Sequence, residues 1–420
     1  MNSKTWTLII ALALFAALAI PVRLAAQQHI RYTVTDLGTL GGTFSFGVGI
    51  NNKGWVAGFS TLPGDLNQHA FVWRNGKITD LGTLGGPNSA PSFSPFSERG
   101  DVGVEAETST PDPNGENFCG SIMICPPVLW HNGAFTVLPT LGGNNGVANQ
   151  VNNRGQVAGL AETTILPPPC LPGIAEPVVW DNGVIEDLYM FPGDLVGVAL
   201  AINDSSAAVG FSATCTSFHA LLWRNGTVTD LGNLGGIAAN VAIAINNGSE
   251  IAGASDLPGD AANHAFLWQK GIMTDLGTLP GDFSSSALGI NNKTQVVGAS
   301  SDISGNTRAF LWERGVMIDL DTLLPAGSPW FLTEADSINS RGQIVGGAFN
   351  GVTGEVHAVL VTPCDEVNAH DSGCKDIENV TERAETNERP KVVLPENIRK
   401  MLRQRPGSRY HMPSLQSSSE

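Results

Sequence analysis

Two short motifs alternate seven times between residues 31 and 363, and this repeat constrains the fold of the 420-residue chain more than any other feature. The first, Ile-Asn-Asn-x-Gly-x-Val-x-Gly, is typical of a strand, a tight turn and a returning strand, because Asn and Gly tolerate positive φ. The second is an apolar strand that usually ends in Trp. The first motif occupies Ile50–Gly58, Val151–Gly159, Ile202–Gly210, Ile245–Gly253, Ile290–Gly298 and Ile338–Gly346, with a degenerate copy at Phe96–Val104.

The length of the repeat and its number of strands indicate the blades of a β-propeller. The second motif ends at Trp73, Trp130, Trp180, Trp223, Trp268 and Trp312, and a Thr-Asp-Leu-Gly strand or a weaker form of it follows each Trp. A period of about 40–50 residues with four strands per unit is the mark of a propeller blade. Since an isolated four-stranded sheet leaves two apolar faces uncovered, stacking the sheets in a ring buries both. We expect each Trp to fill the space between neighbouring sheets.

The two ends of the repeat region complement each other. The last unit, which contains His357–Val361, has no Thr-Asp-Leu strand after it, whereas an extra one stands at Tyr32–Leu37. We therefore predict an all-β, seven-bladed β-propeller over residues 31–363, closed by pairing of the N-terminal strand with the last blade.

The first 26 residues have the pattern of a cleaved signal peptide. Lys4 precedes the apolar stretch Trp6–Ile20, and Leu24-Ala25-Ala26 offers a small-residue cleavage site. A retained membrane anchor is the alternative, but this stretch is short against the ~20 residues needed to span a bilayer. We expect a secreted or periplasmic protein with no membrane span after cleavage.

The six cysteines fit an oxidising compartment. Proximity in sequence predicts the pairs Cys119–Cys125 and Cys364–Cys374, which leaves Cys170 to pair with Cys215. Because six cysteines allow 15 connectivities, this assignment rests on proximity alone. A metal or redox site is disfavoured, since neither CxxC nor a His/Cys cluster is present.

Residues 364–420 differ in composition from the repeats. They are rich in charge, with basic residues concentrated towards the end, and they predict a disordered, solvated tail. A short helix at Pro395–Arg403 and contact with the acidic body or an anionic surface are the alternatives to a wholly solvated tail.

The repeated motifs resemble the HAF-repeat family of probable extracellular proteins. The tripeptide that gives this family its name stands at His69–Phe71 and His264–Phe266, and the resemblance covers roughly Arg31 to Pro363. It implies secretion or surface display, and it implies no particular activity, cofactor or ligand.

Four histidines occupy the same position of the repeat. Several aspartates recur in the same way at one position of the Thr-Asp-Leu strands. These histidines are His69, His219, His264 and His357. Because equivalent positions in separate blades lie about a blade's width apart, we interpret these histidines as structural, hydrogen-bonded to the recurring Asp, rather than as a metal or catalytic site. Arg308 at the same position favours this interpretation.

No motif in the chain indicates a bound cofactor. Four Pro-Gly-Asp turns could offer oxygen ligands to calcium, but they lack the dense Asp/Asn spacing of a calcium loop, and ordinary turns are the preferred interpretation. These turns lie at Pro63–Asp65, Pro192–Asp194, Pro258–Asp260 and Pro280–Asp282.

The composition and the repeats leave two classes of function open. A net charge of −16 disfavours nucleic acid as a partner. We expect a monomeric binding or scaffolding module for an extracellular protein or glycan; the alternative is an extracellular polysaccharide hydrolase or lyase with acid and base residues on its loops. Candidate acids for that alternative are in the irregular second repeat: Glu98, Asp101, Glu105, Glu107 and Asp112.

Overall fold

The computed structural model describes residues 30–116, 118–165, 175–364, 374 and 392–404. Their regular structure consists mainly of seven four-stranded antiparallel sheets arranged in a ring, which confirms the predicted all-β, seven-bladed β-propeller. The predicted signal peptide, residues 1–26, lies outside the described residues.

Strand β1 (Tyr32–Asp36) precedes the first complete sheet. Sheet 1 contains β2 (Ser45–Ile50), β3 (Val56–Thr61), β4 (Gln68–Arg74) and β5 (Lys77–Gly82). Sheet 2 contains β6 (Gly85–Phe96), β7 (Val102–Thr108), β8 (Pro127–His131) and β9 (Ala134–Val137). Sheet 3 contains β10 (Gly142–Val151), β11 (Val157–Thr163), β12 (Ala175–Asp181) and β13 (Val184–Asp187). Sheet 4 contains β14 (Val196–Ile202), β15 (Ala208–Ala213), β16 (Phe218–Arg224) and β17 (Thr227–Asp230).

Sheet 5 contains β18 (Asn240–Ile245), β19 (Ile251–Asp256), β20 (Asn263–Gln269) and β21 (Ile272–Gly277). Sheet 6 contains β22 (Ser284–Ile290), β23 (Val296–Ser301), β24 (Thr307–Glu313) and β25 (Val316–Asp319), followed by a 3-10 helix (Leu320–Leu323). Sheet 7 contains β26 (Trp330–Ile338), β27 (Ile344–Asn350), β28 (Val356–Pro363) and β1. Helix α1 (Glu396–Gln404) lies near the C-terminus.

Sheet 7 combines strands from the two ends of the repeat region. β1 pairs antiparallel with β28, in a register that runs from Tyr32 opposite Pro363 to Asp36 opposite Val359. The ring also joins between sheets 7 and 1, where the Asn339 Nδ2 donates to the Asn51 carbonyl oxygen at 3.0 Å.

The hydrophobic core lies between neighbouring sheets. Trp223 packs with Val179 of the preceding sheet, and Trp180 packs with Leu129 of the sheet before its own. The second strand of each sheet is buried almost throughout, whereas the outermost strand is largely exposed, as in β17 (Thr227–Asp230). Face-to-face stacking therefore stabilises the sheets, as expected from the two apolar faces of each.

The middle of the ring is filled with side chains. Each innermost strand carries a β-bulge, and the bulge residues Leu200, Ile243 and Leu288 of three successive sheets pack in one cluster. The two ends of the ring therefore present separate surfaces.

Two of the predicted disulfides are confirmed. Cys119 is bonded to Cys125, with 6.1 Å between their Cα atoms, and Cys364 to Cys374, with 5.5 Å. Cys215 is also disulfide-bonded, while Cys170 lies outside the described residues.

Of the predicted tail, the structure describes Cys364, Cys374 and residues 392–404. Helix α1 overlaps the short helix anticipated at Pro395–Arg403, and its N-terminal flank packs on the propeller instead of extending into solvent. The reason is apolar burial: Leu394 and Ile398 are each at most 5% exposed. Throughout the described ranges, we find no helix with the length and apolar character needed to cross a membrane.

Candidate functional site

The seven turns of the first motif meet at one end of the ring, around a basin that is partly open to solvent. They meet there because each turn joins the innermost strand of its sheet to the second strand. The second residue of the motif is buried in each turn, whereas the third residue lies on the rim of the basin. The rim is formed by Asn52, Glu98, Asn153, Asp204, Asn247, Asn292 and Ser340.

In six of the seven turns, all but that of sheet 2, which has Ser97 instead, the first Asn joins its sheet to the next. Its side-chain oxygen accepts from the backbone of its own turn, as Asn291 Oδ1 does from Lys293 and Gln295 N–H. Its Nδ2 donates to the carbonyl oxygen of the equivalent residue in the following sheet, and the described links are Asn51 to Ser97, Asn152 to Asn203, Asn203 to Asn246, Asn246 to Asn291, Asn291 to Asn339 and Asn339 to Asn51. These buried amides form a belt around the basin that links the sheets.

The rim residues form a second set of links between the same turns. Side-chain oxygens on the rim accept backbone N–H groups of the preceding sheet: Asn292 Oδ1 accepts from Asn247 at 2.9 Å, and Asn52 Oδ1 from Ser340 at 2.8 Å. Within the described part of the chain, the Nδ2 groups of Asn52 and Asn292 make no hydrogen bond to protein and face solvent.

The basin combines an apolar floor with a polar rim. Its floor includes Ile50, Ile202 and Ile338. Burial alone would raise the pKa of Asp204, but hydrogen bonds from Asn153 and Asn247 and the charge of Arg154 hold it below the usual range. Asp204 is therefore an ionised acceptor among neutral amides at neutral pH.

The repeated histidines lie far from the basin, on the third strand of their sheets. His69 is hydrogen-bonded to Asp80 at 2.9 Å, His264 to Asp275 at 2.9 Å and His357 to Asp36 at 3.0 Å. In sheet 4 the partner is different, because His219 contacts the buried Asp194 at 2.9 Å. Each pair joins elements of one blade, and Arg308 pairs with Asp319 in the same way.

The aspartates of the Pro-Gly-Asp turns are engaged by protein donors. Asp65 accepts from the backbone and hydroxyl of Thr43, Asp260 accepts from Ile237 N–H, and Asp282 pairs with Arg308. Asp194, the fourth of these aspartates, contacts His219. All four carboxylates therefore have partners within the protein and stabilise loops.

The five candidate acids of the second repeat separate into different locations. Glu98 lies on the basin rim. Asp101 is buried in a network with Ser97, Arg99 and His131. Glu105 lies in the middle of β7 (Val102–Thr108), Glu107 lies near its end, and Asp112 follows it, at the end of sheet 2 opposite the basin.

The carboxylate of Glu105 lies within 4.8 Å of the sulfurs of Cys119 and Cys125. Since those sulfurs are bonded to each other, they are not thiolate ligands for a metal.

Asp112 belongs to a carboxylate cluster that the sequence did not indicate. The buried Asn145 amide lies within hydrogen-bond distance of Asp112 (2.9 Å), Glu116 (3.2 Å) and Glu162 (3.1 Å). The hydrogen bond to Glu162, burial, and repulsion by Glu162 and Asp112 raise the pKa of Glu116 to about 7. Glu116 can therefore hold a proton near neutral pH while a carboxylate stands beside it.

Sequence reasoning missed the rim of the basin for a specific reason. It treated Asn-Asn-x-Gly as turn chemistry and placed equivalent residues of different blades about a blade's width apart. That distance holds for His69 and His264 on third strands, but not for turns of the innermost strands, which converge near the axis. The sevenfold recurrence of this turn could have indicated the basin, because only turns at the axis of the ring can bring seven copies of one residue together.

The fold and the basin define the class of protein, a seven-bladed β-propeller with a polar basin at one end. No protein-family model matches the chain, and no curated protein is detectably similar to it in sequence. Solved structures with a similar fold include an acylaminoacyl peptidase of Pyrococcus horikoshii, with 11% identity, a TM-score of 0.46, and coverage of 80% of this chain and 54% of that one. A sialidase of Trypanosoma rangeli has 8% identity, a TM-score of 0.40, and coverage of 84% and 61%. TolB of Acinetobacter baumannii has 14% identity, a TM-score of 0.39, and coverage of 67% and 63%. The chain thus spans about half of the peptidase, and these similarities concern the fold alone.

Replacing Asn291 with Ala tests the belt of amides. We expect the free energy of unfolding to fall by about 1–3 kcal/mol, because a buried carbonyl and two backbone N–H groups lose their partner. Urea unfolding measures this, with Lys293→Ala as control, since the Lys293 side chain is exposed in the same turn. Equal stability of the two variants would contradict a role for the belt in joining the sheets.

Proposed function

We propose that this protein is an exported binding module whose basin takes a hydroxyl-rich ligand, a glycan. The observation that carries the proposal is the basin itself, with an aliphatic floor and a rim of amides and carboxylates from seven turns. A sugar ring has a matching character, because its C–H face packs on aliphatic side chains while its hydroxyls hydrogen-bond to amides and carboxylates. The disulfides support export, since such bonds persist in oxidising compartments.

The rim offers both donors and acceptors to such a ligand. The Nδ2 groups of Asn52 and Asn292 supply donors, while Glu98 and Asp204 supply carboxylate oxygens. The Oδ1 atoms of Asn52 and Asn292 already accept hydrogen bonds from the preceding sheet. A ligand would therefore contact the Nδ2 atoms of these two residues.

The double variant Asn52→Asp/Asn292→Asp tests this assignment on a glycan array followed by titration of the best ligand. Aspartate keeps the oxygen that accepts the inter-sheet hydrogen bond and removes the amide donor. We expect binding to weaken at least tenfold, about 1.4 kcal/mol, while the thermal unfolding midpoint stays close to that of the wild type.

The matched control is Asn75→Asp/Asn225→Asp, which adds the same charge at two exposed turns on the outside of the same end of the ring, where Asp tolerates the positive φ and neither residue lines the basin. Unchanged affinity in both double variants, or no glycan bound by the wild type, would contradict the basin as a glycan site.

A second candidate function, cleavage of polysaccharides, is favoured by the Glu116–Glu162 pair. A carboxylic acid that stays protonated to about pH 7 can act as a general acid beside a carboxylate. Assays of released reducing ends or unsaturated products over a panel of polysaccharides test it. Activity that declines as pH rises through 7 and is lost in Glu116→Gln would support cleavage, whereas ligand binding without turnover supports the module.

A further inference from the structure

Basic residues of the propeller are concentrated at the end of the ring that carries the basin. The turns of the first motif and the hairpins between third and fourth strands both lie at this end, because neighbouring strands are antiparallel. Residues 30–364 contain 12 lysines and arginines, and all but Arg31 and Arg308 lie on or beside these turns: Lys53, Arg74, Lys77, Arg99, Arg154, Arg224, Lys270, Lys293, Arg314 and Arg341. Since the whole chain has a net charge of −16, this end of the ring is the reverse of the average composition.

Five of these cations form an arc immediately outside the rim of the basin. Each is the fourth residue of the first motif, directly after a rim residue, and each is exposed. The five belong to consecutive sheets of the ring, from sheet 6 through sheets 7, 1 and 2 to sheet 3: Lys293, Arg341, Lys53, Arg99 and Arg154. Sheets 4 and 5 have Ser205 and Gly248 at this position, so the arc of positive charge is open on one side.

The arginines of the arc lie along the circumference of the ring, across the turn of the following sheet. Arg154 Nη1 donates to Ser206 Oγ of sheet 4 at 2.9 Å. Arg341 Nη2 of sheet 7 lies 2.9 Å from the position that a Cβ of Gly54 in sheet 1 would occupy. Contact with the next sheet therefore holds these guanidinium groups beside the rim.

The acidic residues at this end have partners within the protein, whereas most of the cations form no ion pair. Six carboxylates lie on or beside the same turns, and each accepts a hydrogen bond: Glu98, Asp101, Asp181, Asp204, Glu250 and Glu313. Within the described ranges, the ion pairs of the ten cations are limited to that of Arg99, whose Nε lies 3.1 Å from Asp101 Oδ2. The cations thus give this end a positive potential that is available to a ligand.

We propose that the ligand is an acidic polysaccharide, which lies along the arc and places its sugar hydroxyls in the basin. This inference rests on the proposed glycan function and adds the chemical class of the glycan. Uronate carboxylates or sulfate groups would pair with the lysines and form bidentate contacts with the arginines. The Nδ2 groups of Asn52 and Asn292, on the rim beside Lys53 and Lys293, would donate to the hydroxyls of the same chain.

The aromatic residue beside the arc favours a glycan over nucleic acid. Single-stranded nucleic acid is bound largely by stacking of its bases on exposed aromatic rings. Trp55 is only partly exposed and already contacts two cations, since Lys53 Nζ and the Arg74 guanidinium lie 4.7 and 4.2 Å from the centroid of its ring. Its ring is therefore engaged by protein side chains.

Paired acidic and neutral glycans test the proposal on the full-length chain. The affinities for oligogalacturonate and its neutral methyl ester, and for dextran sulfate and dextran, are measured by isothermal titration calorimetry. We expect at least one acidic polymer to bind tenfold or more tightly than its neutral counterpart, because positive potential attracts it. Raising the ionic strength to about 0.5 M should reduce this preference, since salt screens exposed charges.

Two triple variants of equal charge separate the arc from the general charge of the protein. Lys53→Gln/Lys293→Gln/Arg341→Gln removes three cations of the arc, and we expect at least tenfold weaker binding of the acidic polymer. Lys77→Gln/Lys270→Gln/Arg314→Gln removes three exposed cations from the outer hairpins at the same end, and we expect a change of less than about threefold.

The remaining outcomes separate this inference from the proposed function and from other ligands. Equal affinity for each acidic polymer and its neutral counterpart would overturn the inference and leave the glycan function standing, whereas binding of no glycan would contradict both. Equal loss of binding in the two triple variants would overturn the role of the arc. Tighter binding of a single-stranded oligonucleotide or of phosphatidylglycerol vesicles than of either acidic polymer would assign the arc to another class of partner and overturn the proposal.

Discussion

Replacing Gly298 with Ala is expected to lower the free energy of unfolding by about 3 kcal/mol, a large effect for one methyl group. A Cβ at this position would lie closer than 3.0 Å to the Ser286 carbonyl oxygen and to the Phe310 ring. Neither neighbour can withdraw, because Ser286 belongs to the paired innermost strand and Phe310 is completely buried. Gly298 is therefore required by close approach of two strands, not by a positive φ.

The same contact explains why the last Gly of the first motif recurs. At Gly58, Gly159, Gly210, Gly253 and Gly346 a Cβ would also meet a carbonyl oxygen of the innermost strand. Urea unfolding of Gly298→Ala measures the effect, with Gly248→Ala as control, since Gly248 has ordinary φ and its nearest neighbour is a side-chain oxygen at 3.2 Å. Loss of less than about 1 kcal/mol in Gly298→Ala would contradict the close approach of these strands.

Deleting the residues up to and including Asp36 is expected to have the largest effect of all. The deletion removes β1 (Tyr32–Asp36) from sheet 7, exposes the edge of β28 and uncovers the apolar cluster in which Tyr32 is buried. Burial of Tyr32 and partial burial of Val34 contribute about 2–4 kcal/mol, a large part of the roughly 5–15 kcal/mol that stabilises a typical protein.

Size-exclusion chromatography and thermal unfolding measure the result of this deletion, which should be aggregation or a much lower unfolding midpoint. The matched control is a chain in which the residues before Tyr32 are removed and β1 is retained. If both truncated chains unfold like the wild type, β1 does not complete sheet 7.

The architecture could be predicted from the sequence because the pattern of each strand recurs seven times. A single Asn-Gly turn is a weak signal, but recurrence at regular spacing fixes the strand count, and the incomplete last unit indicated where Tyr32–Leu37 belongs. The packing of the repeat tryptophans followed from the same pattern, since each ends an apolar strand: Trp130, Trp180 and Trp223 are buried, and Trp73, Trp268 and Trp312 are partly buried.

The candidate sites could not be predicted as well, because they depend on which copies converge. The seven turns of the first motif meet at the axis, whereas the repeated His and Arg positions do not. The Glu116–Glu162 pair joins a loop of sheet 2 to a strand of sheet 3, and no sequence spacing reports that contact. A short helix and contact with the acidic body were alternatives for the C-terminal segment, but burial of Leu394 and Ile398 could not be predicted, because a segment without repeats gives no register from which to place them.

The pair His357–Asp36 reports directly on closure of the ring, since it joins β28 to β1. The hydrogen bond to Asp36 raises the pKa of His357 above 6.5, although burial opposes this, and Glu355, whose carboxylate lies 3.4 Å from His357 Nε2, adds to the rise. Burial alone would raise the pKa of Asp36, but hydrogen bonds from His357 and the Gly38 N–H hold it below its usual value of 3.8.

The signs of these shifts define a pH window for the contact. The raised pKa of His357 means that its stabilisation is fully present below about pH 6.5 and is lost as pH rises through the pKa in the folded protein. The lowered pKa of Asp36 means that its contribution is present above its ordinary pKa and is lost as pH falls through the lower value.

Titration of His357 by NMR, in the wild type and in Asp36→Asn, is the most direct measurement of ring closure. His357→Gln identifies the resonance, and Asp275→Asn, which alters a His–Asp pair inside one sheet, is the matched control. We predict that the pKa of His357 falls in Asp36→Asn, because the hydrogen bond that raises it is weakened, and is unchanged in Asp275→Asn. A His357 pKa that does not respond to Asp36→Asn would mean that the first and last strands are apart, and the closed seven-bladed ring would be wrong.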